Sequence, residues 1–292
     1  MANITTTTAA VFIPELWSPD TIDAVEANVV LGGLINRRWE SHVSMGDILR
    51  VSYLSNLTAN TKASGTDVTL EAVTESEETL TVNTHQYVAF GVEDIVATQS
   101  KHDLRSKYTT KAGYALASAF DTNLAALAAS FDNTVGVLGI EVTYDNLVRA
   151  DQYLNDANAP ESERFLYISP ATKGGLLKLD EFSNADYVGP GSVGDAVRRA
   201  DIGKEIMGAR AYVSTIAHSP SGGQTNCWMA HKDGAAAVMQ KTKTKSDFIL
   251  LSDLDAVVST QLYGYTEVLI PPVTAGGGTA LDNHNVTVRS IG

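Results

Sequence analysis

The sequence YTTKAGYALASAFDTNLAALAASF, at residues 108–131, is the longest helical pattern in the chain. Its apolar residues recur at intervals of three and four, which places them on one helix face, and no proline interrupts them. That face consists of Tyr108, Ala112, Ala115, Leu116, Ala119, Phe120, Leu124, Leu127 and Phe131. The helical signal extends back to Glu93, either as one bent helix or as two helices that join near Ser106. A continuous helix over 93–131 would be about 55 Å long, so we expect flanking sheets to support it.

A strand pattern precedes this helix at residues 46–90. Apolar residues alternate at Leu49 and Val51 and again at Leu80 and Val82, which is typical of strands. The sequence between them, 56–78, is polar and acidic and has a turn near Gly65. A hairpin with so little apolar material has nothing to bury against itself, so we expect it to project. The alternative is a mobile surface loop, although loops of this length are uncommon without a function.

Residues 141–245 predict a second domain of mixed class. Thr143 is a good N-cap for a helix over 144–157, and 165–168 reads as a buried strand. Ser169 followed by Pro170 then begins another helix. A hairpin that turns at Gly208, strands at 227–230 and 237–240 and a loop over 180–201 complete this part. A separate strand signal follows at 248–251.

The remaining segments lie at the two ends and beside the long helix. The strong strand signal over 257–270 predicts a return of the chain to the first domain. Residues 1–45 read as an N-terminal arm, or alternatively as a lead-in that packs on its own domain. Residues 273–292 read as a tail in which 285–291 forms at most a short strand.

Composition excludes several classes of function. The 292 residues carry a formal net charge of −13 and disperse their basic side chains, which argues against a groove that grips nucleic-acid phosphates. A single cysteine, Cys227, rules out an internal disulfide framework and suits a reducing cytoplasm. No apolar run approaches the roughly 18 residues of a membrane span.

The sequence also lacks the motifs of common catalytic, cofactor and metal sites. The six histidines are scattered without metal-ligand spacing, and no phosphate-binding loop or Gly-x-Ser-x-Gly elbow is present. Cys227 lies within an apolar strand, where an inert thiol is expected. The acidic run from Glu75 to Glu78 lacks the spacing of a calcium loop and reads as a partner-facing charge run. We therefore predict no catalytic residue, no cofactor and no metal, with an α/β enzyme in 141–245 as an alternative.

The order of these parts is arm, projecting acidic hairpin, long helix, α/β domain and returning long strand. This order and several short sequence segments resemble those of the major capsid proteins of tailed bacteriophages. The segments are FLYISP at 165–170 leading into 173–178, DIGKEIMG at 201–208 with AYVS at 211–214, the strand at 227–231 before DGA at 233–235, and LYGY at 262–265. The resemblance covers roughly residues 10–272. It implies an α+β chain with the Hong Kong 97-type shell fold.

The resemblance also implies a domain organisation. The chain is expected to have an N-terminal arm at 1–45 and a C-terminal tail at 273–292. Residues 46–90 are expected to form the extended loop, which is a projecting β-hairpin. The peripheral domain, with its spine helix and long strands, comprises 91–140 and 246–272, and the axial domain comprises 141–245. The implied function is self-assembly, as pentamers and hexamers, into an icosahedral shell around double-stranded DNA. The expected contacts between subunits are made by Lys62, Asp67, Glu71, Glu75, Glu77, Glu78, Trp17, Lys101 and Arg105.

The implied partners follow from the same resemblance. They are further copies of the chain, a portal protein at one vertex, decoration proteins and packaged DNA bound without sequence specificity, with no membrane. Because the sequence opens at the arm, a separate scaffolding protein is expected. Some family members cross-link a loop lysine to a neighbour's asparagine; Lys62 is the lysine near this tip, but its partner and the catalytic carboxylate are not identified by the sequence. The protein is expected in the virion, after assembly in the bacterial cytoplasm, and an encapsulin-like compartment is the alternative shell.

Overall fold

The computed structural model describes residues 29–43, 46–54, 57, 59–73, 75–93, 104–183, 205–249, 253–268 and 284–291. The described helices are α1 (Leu31–Leu34), α2 (Leu104–Ala126), α3 (Tyr144–Asp156), α4 (Pro170–Leu176) and α5 (Asp180–Ser183). The strands are β1 (Ile48–Leu54), β2 (Glu75–Thr81), β3 (Thr84–Glu93), β4 (Thr134–Val135), β5 (Arg164–Ile168), β6 (Glu205–Ile206), β7 (Ala209–Val213), β8 (Gln224–His231), β9 (Ala235–Ile249), β10 (Leu254–Glu267) and β11 (Asn285–Ile291). They form an α+β fold with three sheets.

The long helix α2 is shorter at its start than the sequence predicted. It has 23 residues, about 35 Å at 1.5 Å per residue, and a short 3-10 turn follows it. The expected start at Glu93 is wrong, because this residue ends β3 and pairs with Leu254 of β10. α2 begins at Leu104, two residues before Ser106, near which two helices were alternatively expected to join. Residues 94–103 lie outside the described residues.

One face of α2 packs on an antiparallel sheet with the strand order β3-β10-β9. The ring of Phe120 meets that of Tyr263 edge-on, with centroids 4.8 Å apart. The buried side-chain amide of Gln261 donates to the backbone oxygen of Leu116 at 2.9 Å. The predicted return of the chain beside the long helix is therefore confirmed, and β10 is the central strand.

β9 is longer than the sequence predicted. Separate strands at 237–240 and 248–251 were expected, yet a single strand of 15 residues covers 235–249. The alternation of lysine and threonine between them is itself a strand pattern, since it places one residue type on each face. Strands were predicted from alternating apolar residues, and this run has none, so its strand was not predicted.

The second large sheet has the strand order β4-β11-β8-β5-β7-β6, with α3 and α4 on one face. The predicted caps are confirmed: Thr143 accepts from the backbone N–H of Asn146, and Ser169 accepts from that of Thr172. The hairpin between β6 and β7 turns through Met207 and Gly208, whose positive φ values of 50° and 74° suit a tight two-residue turn.

The opposite face of this six-stranded sheet packs with the C-terminal end of α2 and with the turn that follows it. Phe131 stacks on Trp228 with ring centroids 5.1 Å apart, and Phe165 meets the same indole edge-on at 5.7 Å. The buried carboxylate of Asp121 in α2 accepts from the backbone N–H groups of Leu31 and Gly32, at 2.9 Å each. α2 therefore joins the two sheets and holds the segment at 31–35.

The C-terminal strand lies within the α/β part of the molecule. β11 confirms the short strand expected at 285–291 within the tail, and it pairs with β8 on one side and with β4 on the other. Val286 and Val288 are buried against the helices, which explains its place in the sheet. β3 and β9 likewise extend across the expected boundaries at residues 90 and 245.

Candidate assembly interface

The hairpin formed by β1 and β2 is anchored at its base. The two strands pair in antiparallel register from Ile48 with Thr81 to Leu54 with Glu75. At the base, Leu80 has 1% of its surface exposed and packs with Val82 against Val238 of β9. The anchor fixes where the hairpin leaves the body of the molecule.

Gly264 of β10 allows the close approach of this base. A Cβ atom at Gly264 would collide with the backbone of Thr81 and Val82, so a larger residue would push the hairpin away. The backbone N–H of Val82 donates to the oxygen of Asp47 at 2.7 Å, and the side chain of Gln240 donates to the oxygen of Gly46 at 2.8 Å. The glycine of the LYGY phrase thus has a structural role at the root of the hairpin.

The tip of the hairpin, defined here as residues 57–73, is exposed at every described position. Four of its exposed side chains are large and apolar: Leu57, Val68, Leu70 and Val73. Leu70 is the extreme case, with 93% of its surface in solvent. Covering a leucine of this kind with a partner surface is worth about 1.5–3 kcal/mol. Large apolar side chains that are exposed together in this way are typical of a surface that contacts a partner.

Acidic residues line β2 below this tip. Glu75 and Glu77 lie on one face of the strand, and Glu78 lies on the other with Leu80. Arg50 of β1 pairs with Glu77 at 2.6 Å, but both side chains remain largely exposed. Glu78 is half-buried, and burial raises the pKa of its carboxyl. The exposed face therefore carries charges that a neighbour can reach.

The structure places the nine predicted contact residues in three groups. Lys62, Asp67 and Glu71 are exposed in the tip, and Glu75, Glu77 and Glu78 follow in β2. Arg105 is exposed near the start of α2, where its guanidinium lies 3.5 Å from the carboxylate of Asp255 in β10. The other two, Trp17 and Lys101, lie outside the described residues. Six of the nine residues thus lie in the β1–β2 hairpin, while Arg105 lies where α2 packs on β10.

Sequence reasoning missed a second exposed surface, on β9. Residues 241–249 are all exposed, and within the described residues nothing pairs with the outer edge of β9 there. The register places Lys241, Lys243 and Lys245 on the sheet face opposite to α2. The alternating KTKTK sequence at 241–245 was the signal that could have identified this lysine face.

The described residues offer no arrangement suited to catalysis. The Cys227 thiol is fully buried beside the hydroxyls of Thr172 and Ser290, and burial raises its pKa, so the thiol form predominates. His231 and His284 pack edge-on with ring centroids 5.7 Å apart, and burial lowers the pKa of each. No group of His, Cys, Asp and Glu in the described part could hold a metal ion.

A cavity of about 400 Å³ lies between α2, β9 and α1. Its lining is largely small or apolar, and the Asp121 carboxylate there is already engaged by backbone N–H groups. Among the described helices, none is both long and apolar enough to cross a membrane.

Solved structures of phage proteins have a similar fold, and two of them are described as capsids. A chain from Mycobacterium phage Che8 superposes with a TM-score of 0.79 at 22% identity, over 95% of this chain and 97% of that one. The capsid of the cyanophage P-SCSP1u gives 0.76 at 17% identity, over 99% and 96%. The mature capsid of bacteriophage PhiM1 gives 0.71 at 14% identity, over 95% and 92%. No curated protein matches the sequence.

The chain shares the α+β fold of these solved structures, which is the Hong Kong 97-type fold. The particular family follows from the sequence: a family model for phage capsid protein matches residues 40–197, more than half of the chain. The chain belongs to the phage capsid protein family. It is a structural component of the virion that assembles with copies of itself, and it is not an enzyme.

Proposed function

We propose that the chain is the major capsid protein of a tailed bacteriophage and assembles as pentamers and hexamers into an icosahedral shell around double-stranded DNA. One observation carries this proposal: a hairpin with a buried base and a tip exposed at every described position. An isolated subunit gains nothing from exposing Leu70 and Val68 to water. A subunit in a closed assembly covers them, and each small contact is repeated at every symmetry-related copy.

The division of labour within the subunit follows from the same reasoning. Residues 46–81 act as the extended loop that lies on a neighbour, anchored through Leu80 on β9. The layer of α2 with β3, β9 and β10 is the peripheral part of the subunit. The six-stranded sheet with α3 and α4 is the axial part, around which the capsomer closes. The segment 1–45 acts as the arm, of which only 29–43 is described.

The charge of the chain agrees with a container for DNA. A net charge of −13 opposes tight binding to phosphates, which would hinder packaging and release of the genome. We propose that the shell contacts DNA without sequence specificity. A scaffolding protein during assembly, a portal at one vertex and decoration proteins are the further partners of a shell of this kind.

Electron microscopy of the expressed protein tests this function. Replacing residues 59–73 by a short Gly-Ser linker removes the exposed tip and leaves the buried base intact. The variant should yield folded subunits or capsomers in place of closed shells. A matched control is Val148→Ala on the exposed surface of α3, away from the hairpin. Unchanged particle yield from the tip variant would refute the role of the hairpin, and monomeric or dimeric wild-type protein under all conditions would refute the shell.

A further inference from the structure

We infer that the acidic face of the hairpin docks on the lysine face of β9 in a neighbouring copy of the chain. The inference rests on the proposed shell and names the surface that receives the hairpin. Its two halves are Glu75 and Glu77 on one copy and Lys241, Lys243 and Lys245 on the next.

The lysine face is a concentrated patch in an acidic molecule. Three lysines alternate with threonines on one strand, so all three ammonium groups project from one side of the sheet. None of them forms an ion pair within the described residues. Asp247 follows on the same face and ends the basic run. Three neighbouring like charges repel one another, and a partner that supplies carboxylates relieves that repulsion.

The hairpin is the complementary surface in sign. Between residues 57 and 78 the sequence has five carboxylates, Asp67, Glu71, Glu75, Glu77 and Glu78, and a single cation, Lys62. Glu75 forms no ion pair within the described residues, and the partner of Glu77, Arg50, leaves it about half exposed. The negatively charged hairpin of one subunit thus matches the lysine face of β9 in another.

The two surfaces also match in spacing. Glu75 and Glu77 are two residues apart on one strand face, and so are Lys241 and Lys243, which gives about 6.8 Å between successive side chains in each ladder. Two extended strands laid face to face can therefore pair their charges in register. Tyr87, on the same face as Lys243 and 68% exposed, offers an apolar surface for the uncharged residues of the hairpin.

Lysines on an edge strand also discourage unspecific strand pairing, and a lysine face could instead meet packaged DNA. Neither of these roles requires carboxylates at the same spacing on a projecting hairpin. The docking role requires them, and it alone predicts that reversing both sets of charges restores what reversing one set destroys.

The test is a charge-reversal cycle on nuclease-treated particles from expressing cells. Glu75→Lys/Glu77→Lys and Lys241→Glu/Lys243→Glu should each lower particle yield about tenfold or more, because like charges then face one another. The combined fourfold variant should recover most of the yield. Arg149→Glu, an exposed reversal on α3, serves as the matched control, and circular dichroism checks that each subunit folds. Raising the salt concentration should rescue each double variant in part, since exposed charges are screened.

Three results would overturn the inference. One is a wild-type particle yield from either double variant. If the lysine variant assembles normally but its particles retain less DNA, the lysine face contacts DNA and not the hairpin. A second is a fourfold variant that assembles no better than the two double variants. The third is an absence of particles from the wild-type chain, which would remove the proposed shell and this interface together, whereas the first two leave the shell intact.

Discussion

Leu70→Ala and Leu80→Ala remove the same atoms from two leucines of one hairpin, ten residues apart, and should have opposite consequences. Leu80 has 1% of its surface exposed and fills the cluster at the hairpin base, while Leu70 in the tip is 93% exposed. The buried residue contributes to the stability of the subunit. The exposed residue contributes, in our account, to the affinity between subunits.

The expected magnitudes follow from burial. Leu80→Ala should lower the free energy of unfolding by about 2–5 kcal/mol, because the substitution removes buried methyl groups and leaves a cavity beside Val238. Leu70→Ala should leave the same quantity within about 0.5 kcal/mol of the wild type. Covering Leu70 at an interface is worth about 1.5–3 kcal/mol, so its loss should weaken each contact between subunits roughly tenfold or more.

Two measurements separate the effects. Denaturant unfolding of unassembled subunits, followed by circular dichroism, reports the stability of the fold. Sedimentation of the same preparations over a range of concentrations reports the threshold for assembly. Leu57→Ala, in the same exposed tip, is a matched second probe of assembly. The reasoning is refuted if Leu70→Ala destabilises the isolated subunit as much as Leu80→Ala, or if it leaves the assembly threshold unchanged.

Three further predictions concern buried groups in the body of the subunit. Burial lowers the pKa of His231 and His284 below the ordinary 6.5, so the unfolded chain binds protons at a higher pH than the folded subunit does. The free energy of unfolding should therefore fall as the pH drops through 6.5. Denaturant titrations at pH 5–8 should show this fall, and His231→Asn/His284→Asn should flatten the profile. Cys227 should not react with a thiol reagent until the protein unfolds, and reaction in native protein would contradict its burial. Asp121→Ala should lower the free energy of unfolding by about 1–3 kcal/mol, because the N–H groups of Leu31 and Gly32 lose their acceptor; thermal unfolding would show this, and an unchanged midpoint would contradict it.

Local patterns in the sequence predicted the elements whose causes are local. The helical face around Phe120 and the N-caps at Thr143 and Ser169 are encoded within a few residues, and each was found. The projecting hairpin was predicted from a lack of apolar residues in 56–78. The described residues of that segment up to Val73 are indeed all exposed.

Pairing between distant segments was not predictable in the same way. β11 lies between β4 and β8, and nothing within 285–291 specifies those partners, so the strand read as part of a tail. The predicted helix wrongly included Glu93, because the sequence around this residue fits a helix and a strand equally well. Its pairing with Leu254 of β10, which is distant in the sequence, makes it part of a strand. The lysine face of β9 was missed because its alternation is between two polar residue types.

The most direct test of the account is the structure of the assembled particle, imaged by electron microscopy at a resolution that traces the chain. We expect a closed icosahedral shell in which residues 59–73 of every subunit lie on a neighbouring copy, with Leu70 covered. Closed particles in which this tip projects into solvent, or preparations with no closed particle at all, would contradict it.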